Sequence, residues 1–217
     1  MLQTANPGIP AETWESLSIG GRDAQLLSLR EGLWGPRMDA VAACPNCTEL
    51  LDLNLSTREL LGQRGLPTNE AVTTSLGEYT LTFRLPTTGD LIALGQHGDL
   101  ETLSARLLRS CVLAAFRQGV AVHPGELPPE IVGGIEDQME EADPLANVQL
   151  SLCCPSCDHT WRAIFDILSY LWTEVEIWAW RMLADVHTLA RAYGWSESDI
   201  LELSPTRRQF YLNMVGA

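Results

Sequence analysis

The chain carries two Cys-Pro-x-Cys turns, Cys44-Pro45-Asn46-Cys47 and Cys154-Pro155-Ser156-Cys157. Residues 48–153, 106 in all, lie between them. A Cys-x-x-Cys turn supplies two sulfur ligands with the bite a tetrahedral metal site needs, so two turns complete one site. Cys44, Cys47, Cys154 and Cys157 therefore read as one structural four-cysteine zinc site, one ion per chain, tying the early chain to the late chain. A closed site leaves the metal no open position for substrate, so it constrains the fold more than the function. The competing redox reading places a Cys-x-x-Cys after a strand at the start of a helix. Here Asp158-His159-Thr160-Trp161 follows the second pair and reads as a turn entering a strand. Of the remaining cysteines, Cys111 falls in an apolar helical stretch and is assigned to packing. Cys153 adjoins Cys154 and stays open as an alternative ligand, as does His159. The parallel with Cys44 favours Cys154.

Alternation flanks both turns. Leu51, Leu53 and Leu55 alternate with Asp52 and Asn54. Val148, Leu150 and Leu152 lead into the second turn, and Trp161, Ala163 and Phe165 lead out of it. With residues 38–43, this predicts strand–turn–strand twice, and a small antiparallel ribbon of four strands around the metal. Tyr79, Leu81, Phe83 and Leu85 predict another strand, and 120–122 a short one. Residues 57–77 read as a loop or short helix. Helices are predicted over 22–34 (Leu26, Leu29 and Leu33 on one face), from Asp99 to about 118, from Pro128-Pro129 onward, and over 166–193, closed by Gly194. Ser196-Glu197-Ser198-Asp199 has capping-box spacing, and Ser204-Pro205 starts the last helix. The fold class is α+β, mainly helical. Its segments are 1–56 (helix and first half-site), 57–147 (inserted strand–helix region), 148–165 (second half-site) and 166–217 (long and short C-terminal helices), expected as one unit.

Charge narrows the function. The formal net charge of −14 repels phosphate backbones, which disfavours nucleic acid. No run of eighteen apolar residues suggests a membrane span, and residues 1–11 lack a signal peptide's basic start and apolar core. Six cysteines without a secretion signal point to metal in a reducing compartment. No nucleophile–base motif, P-loop or dinucleotide fingerprint appears, and no small-molecule ligand is expected. The carboxylates Glu136, Asp137, Glu140, Glu141 and Asp143 read as a solvated helix face. On the long helix, Leu168, Leu171, Val175, Trp178, Met182, Val186, Leu189 and Tyr193 form one stripe. Tyr170, Ile177 and Trp180 fall off that stripe, as a second apolar patch suited to a partner. Arg207 and Arg208 form a small basic spot that suits an acidic partner.

The run Tyr193-Gly194-Trp195-Ser196-Glu197, with Ile200-Leu201, Leu203-Ser204-Pro205, Arg207-Arg208 and Tyr211-Leu212, resembles small tail-assembly and baseplate proteins of contractile phages. The likeness extends through Arg22-Asp23, Leu26-Leu27, Leu29-Arg30-Glu31, Gly35 before the first cysteine turn, and Phe83-Arg84-Leu85-Pro86-Thr87. It continues in Trp161 and Phe165-Asp166-Ile167 after the second turn. In these residues the chain is similar to zinc-ribbon relatives of the T-even phage baseplate-hub assembly protein, found in phages and phage-like contractile injection systems. The resemblance implies a non-enzymatic role in or on the baseplate hub. It also implies hub, spike or tape-measure proteins as partners, and residence in the cytoplasm of the producing bacterium or in the finished tail. The alternative is a zinc-ribbon nucleic-acid or transcription accessory protein, by fold analogy. Only Arg162 lies close to either turn as a basic residue. An enzyme built on the acidic helix and His123 is a third reading.

Overall fold

The computed structural model describes residues 1–62, 70–95 and 98–216. These form two units, Met1–Ile167 and Leu168–Ala217. In the first, short helices α1 (Leu2–Ala5) and α2 (Ala11–Glu15) precede α3 (Ile19–Trp34). Ser18 caps α3 by accepting from the Gly21 N–H at 3.0 Å. The helix therefore starts three residues earlier than predicted: the cap overrides the low propensity of Gly20-Gly21. Its buried face runs through Leu26, Leu27 and Arg30, whereas Leu33 is exposed. The buried Arg30 guanidinium donates to the carbonyls of Gly35 and Arg37, holding the turn into the next strand.

That strand, β1 (Arg37–Ala43), pairs antiparallel with β2 (Leu50–Ser56), and α4 (Thr57–Gly62) follows. Of the predicted 57–77 loop, residues 63–69 lie outside the described residues. Its end forms β3 (Val72–Leu76), which opens an antiparallel sheet continued by β4 (Tyr79–Phe83). Helices α5 (Thr88–Leu94) and α6 (Leu100–Cys111) intervene before β5 (Val112–Arg117) and β6 (Val120–Ala121) complete the sheet. The helix predicted to run to 118 thus stops at Cys111. The apolar run Val112–Phe116 satisfies either period, and pairing with β4, where Leu81 faces Ala115, selects the strand. After a 3₁₀ turn (Pro124–Glu126), α7 (Pro129–Ala142) covers this sheet. Leu81, Phe83, Val112, Ala115, Leu127 and Ile135 make the core there. Gly134 leaves room for Leu76, whose Cδ1 would lie 2.7 Å from a Cβ at that position.

Between β4 and α5, Thr87 and Asp90 form a capping box, and Arg84 grips Asp90 with two bonds of 2.6 and 2.7 Å. The Arg84 guanidinium holds the Asp90 carboxyl well below the usual carboxylate range, with the Thr87 groups adding to the effect. A depressed carboxyl stabilises the fold above its unfolded pKa and loses that contribution as pH falls through the folded value. Asp90→Ala is expected to cost about 1–3 kcal/mol at neutral pH. The deficit against the parent should shrink in acid, as read by denaturant melts.

β7 (Val148–Cys153) and β8 (Thr160–Phe165) form the second hairpin. β1–β2 and β7–β8 are two separate two-stranded sheets, not one four-stranded sheet. Each has one apolar row, Met38, Ala40 and Ala42 opposite Leu55, Leu53 and Leu51, and Val148, Leu150 and Leu152 opposite Phe165, Ala163 and Trp161. These residues are buried or half-buried, while Val41, Asp52 and Ile164 face solvent.

The second unit is helical: α8 (Ile167–Tyr193), α9 (Glu197–Glu202) and α10 (Pro205–Val215). Gly194 ends α8 with φ at 70°. Ser196 and Asp199 cap α9 reciprocally, and Ser204 caps α10. Leu171, Leu189 and Ile200 are buried. Tyr193, Trp195 and Tyr211 cluster, with Trp195 stacked on Tyr193 at 4.7 Å and edge-on to Tyr211 at 4.8 Å. No helix of the described residues is long and apolar enough to cross a membrane.

Candidate metal centre

The two cysteine turns adopt the same backbone geometry. The Cys44 N–H donates to the Glu49 carbonyl at 2.8 Å, and the Thr48 N–H donates to the Cys44 carbonyl at 2.9 Å. In the second turn, Cys154 N–H donates to His159 at 2.9 Å and Asp158 N–H to Cys154 at 3.0 Å. Thr48 and Asp158 both take positive φ, 64° and 56°, turning the chain back into β2 and β8. Each turn thereby sets two cysteines at the tip of its hairpin.

The four sulfurs of Cys44, Cys47, Cys154 and Cys157 all lie within 4.8 Å of one another. Cys44 and Cys157 are 3.7 Å apart, and Cys47 and Cys154 are 3.5 Å apart. Four sulfurs about 2.3 Å from a tetrahedral ion stand about 3.8 Å apart, so the cluster matches a bound ion's dimensions. The four cysteines are placed to hold a metal ion. Cys44 and Cys154 are buried, Cys157 is half-buried and Cys47 is exposed. Cys153, at the end of β7, is exposed and outside the cluster, because strand alternation points it away from Cys154. His159 is also outside it, and its ring stacks with Trp161 at 6.1 Å between centroids.

Asn46 reaches across from the first turn, its Nδ2 donating to the Cys157 sulfur at 3.5 Å. With the His159 amide, it brings the Cys157 thiol down to about 6. Cys47 behaves oppositely. The Glu49 amide pulls it down, but the neighbouring thiols outweigh that and push it up to about 12. Metal binding must therefore displace the Cys47 proton at neutral pH. Apparent affinity is expected to rise at least about tenfold per pH unit across the neutral range, as competition against a chromogenic chelator would read. A pH-independent affinity would contradict this.

The residues anticipated for partner binding are placed differently from one another. Ile177 and Trp180 are 46% and 68% exposed, while Tyr170 is half-buried. Arg207 is exposed, with its guanidinium over the Tyr211 ring. Arg208, expected at the surface, is instead buried and donates to the Met182 sulfur. Trp178, read as part of the buried stripe, is 51% exposed, and Leu168 and Tyr193 are exposed as well. Trp172 and Leu183 on α8, and Phe210 and Met214 on α10, are further exposed apolar residues. His123 accepts from the Gly125 N–H through Nδ1, as a cap of the 3₁₀ turn. Among the described residues, the carboxylates of α7 form no metal-holding group. No known family model, characterised protein or solved structure matches the chain.

Proposed function

We propose that this chain is a non-enzymatic assembly factor or minor structural component of a contractile phage tail or phage-like injection system. Its first unit is clamped by a structural zinc ion in a ribbon of two hairpins. The observation that carries the association role is the apolar surface of the second unit, where Trp172, Ile177, Trp178, Trp180, Leu183 and Phe210 are all exposed. Exposed apolar residues at this density mark protein–protein contact. The contractile-tail setting rests on the residue likeness described above, strongest from Tyr193 to Leu212. Zinc suits a closed set of four thiolates in a reducing compartment, where it contributes folding energy and presents no open position.

The test is purification of the tagged full chain from producing cells, with bound proteins identified and metal measured. Hub, spike or tape-measure proteins, together with about one zinc per chain, are expected. Recovery of nucleic acid or polymerase subunits instead would overturn the reading in favour of a transcription accessory role.

A further inference from the structure

We infer that α8 pairs in parallel with the α8 of a second copy of this chain, along the row Thr173, Ile177, Trp180, Ala184, His187 and Arg191. This rests on the reading of the second unit as an association surface and names the occupant of one of its faces. The six positions advance by four and three residues in turn, the 3.5-residue average of a two-stranded coiled-coil seam. All six are exposed, whereas Leu171, Val175, Met182, Val186 and Leu189, on the opposite side of the helix, are buried or half-buried. The row thus lies on the face of α8 opposite its buried one.

Charge selects the occupant. In a parallel pair, the residue just before a seam position reached by a four-residue step meets the residue five further along in the partner. Glu176 precedes Ile177, and Arg181 stands five residues beyond it. Glu176 of each chain therefore faces the partner's Arg181, and symmetry makes two such pairs on either side of Trp180. Both residues are exposed, and neither forms an ion pair among the described residues. The reverse arrangement, with the helices antiparallel about Trp180 and Ala184, brings Arg181 against Arg181 and is disfavoured. Ala184, one turn after Trp180, leaves space beside the indole pair. Residues 168–217 hold six carboxylates and four arginines, a formal −2, so net charge sets little repulsion between two second units.

The experiment is the solution mass of the full, metal-loaded chain by light scattering over a concentration series. A species of twice 23.9 kDa is expected for the parent, and Trp180→Ala is expected to return it to the single-chain mass. Trp180 is 68% exposed, so its loss leaves folding intact. Arg181→Glu should weaken pairing at least about tenfold by setting like charges opposite each other, and the double variant Glu176→Arg/Arg181→Glu should restore it. A single-chain mass for the parent, or a dimer indifferent to both single variants, overturns the inference. Failure of the double variant to restore pairing overturns the parallel arrangement. A monomeric parent that still captures hub, spike or tape-measure proteins would remove this inference and keep the assembly role, and a dimer that captures none of them would do the reverse.

Discussion

Cys154→Ser is expected to break the four-cysteine cluster, abolish its metal binding and lower the thermal midpoint of the chain by more than about 10 °C. The size follows from what the site does. Its cysteines come from turns 107 positions apart, Cys47 to Cys154, so a bound ion would close a very long loop. Holding such a loop shut opposes roughly 4 kcal/mol of chain entropy. Removing one thiolate from a tetrahedral set leaves three sulfurs and a buried hydroxyl in the place of Cys154, which is fully buried. Cys153→Ser is the matched control. Its thiol is one residue away but exposed and outside the cluster, so metal content and midpoint should stay at parental values. Elemental analysis and thermal scans with and without chelator read both variants. Equal metal and equal stability in Cys154→Ser and parent would sink the structural-metal reading.

Gly20→Ala is the second large expected effect, on the order of 2–4 kcal/mol and so roughly 5–15 °C. Gly20 lies in the first turn of α3, where a Cβ would fall 1.9 Å from Asp143 Oδ1 and 2.8 Å from the Ala146 nitrogen. Asp143 follows α7 and is buried, with Oδ2 accepting from the Gly20 N–H at 2.9 Å. This carboxylate supplements Ser18 at the helix start, satisfying an amide that the N-cap leaves free. An alanine methyl must expel it, breaking a link across 123 positions. Gly32→Ala provides the contrast. It is helical with nothing within 4 Å of the added methyl, so it should stabilise by about 0.5–1 kcal/mol. Burial pushes the Asp143 carboxyl up, and the same is true of Asp23, where Arg22 opposes it. Raised carboxyls favour the fold when protonated, so their contribution is greatest below the ordinary carboxylate range and fades as pH rises through the raised values. That is opposite in sign to Asp90. Denaturant melts across pH on parent and Asp143→Asn separate the two.

The clustering of Cys44, Cys47, Cys154 and Cys157 was legible because each turn announces itself locally and two matching turns call for each other. Proline-bearing Cys-x-x-Cys turns with alternating flanks specify both hairpins, and the count of four specifies closure. Helix caps were legible for the same reason: Ser196 with Asp199, and Ser204 before Pro205, act within one turn. What escaped depends on distant partners. Val112 to Phe116 became a strand only because β4 was there to pair with it. Arg208 was drawn inward by Met182, on a different helix. The Gly20–Asp143 link leaves no local trace, and β3 was hidden in a stretch too polar to read as a strand. On α8, apolar residues occur at nearly every angle, so periodicity alone placed Trp178 inside when it is half exposed.

The long separation between the two cysteine turns also sets an order of events during synthesis. Cys44 and Cys47 leave the ribosome about 110 residues before Cys157, an interval of roughly 5–20 s at ordinary elongation rates. Throughout it the first turn offers two sulfurs where the finished site has four, and α3 waits for the carboxylate of Asp143. The first unit can close only when its last sixth has been made, whereas the three helices that follow depend on neighbours close in sequence. The arrival of Cys157 is thus the earliest moment at which all four sulfurs can come together.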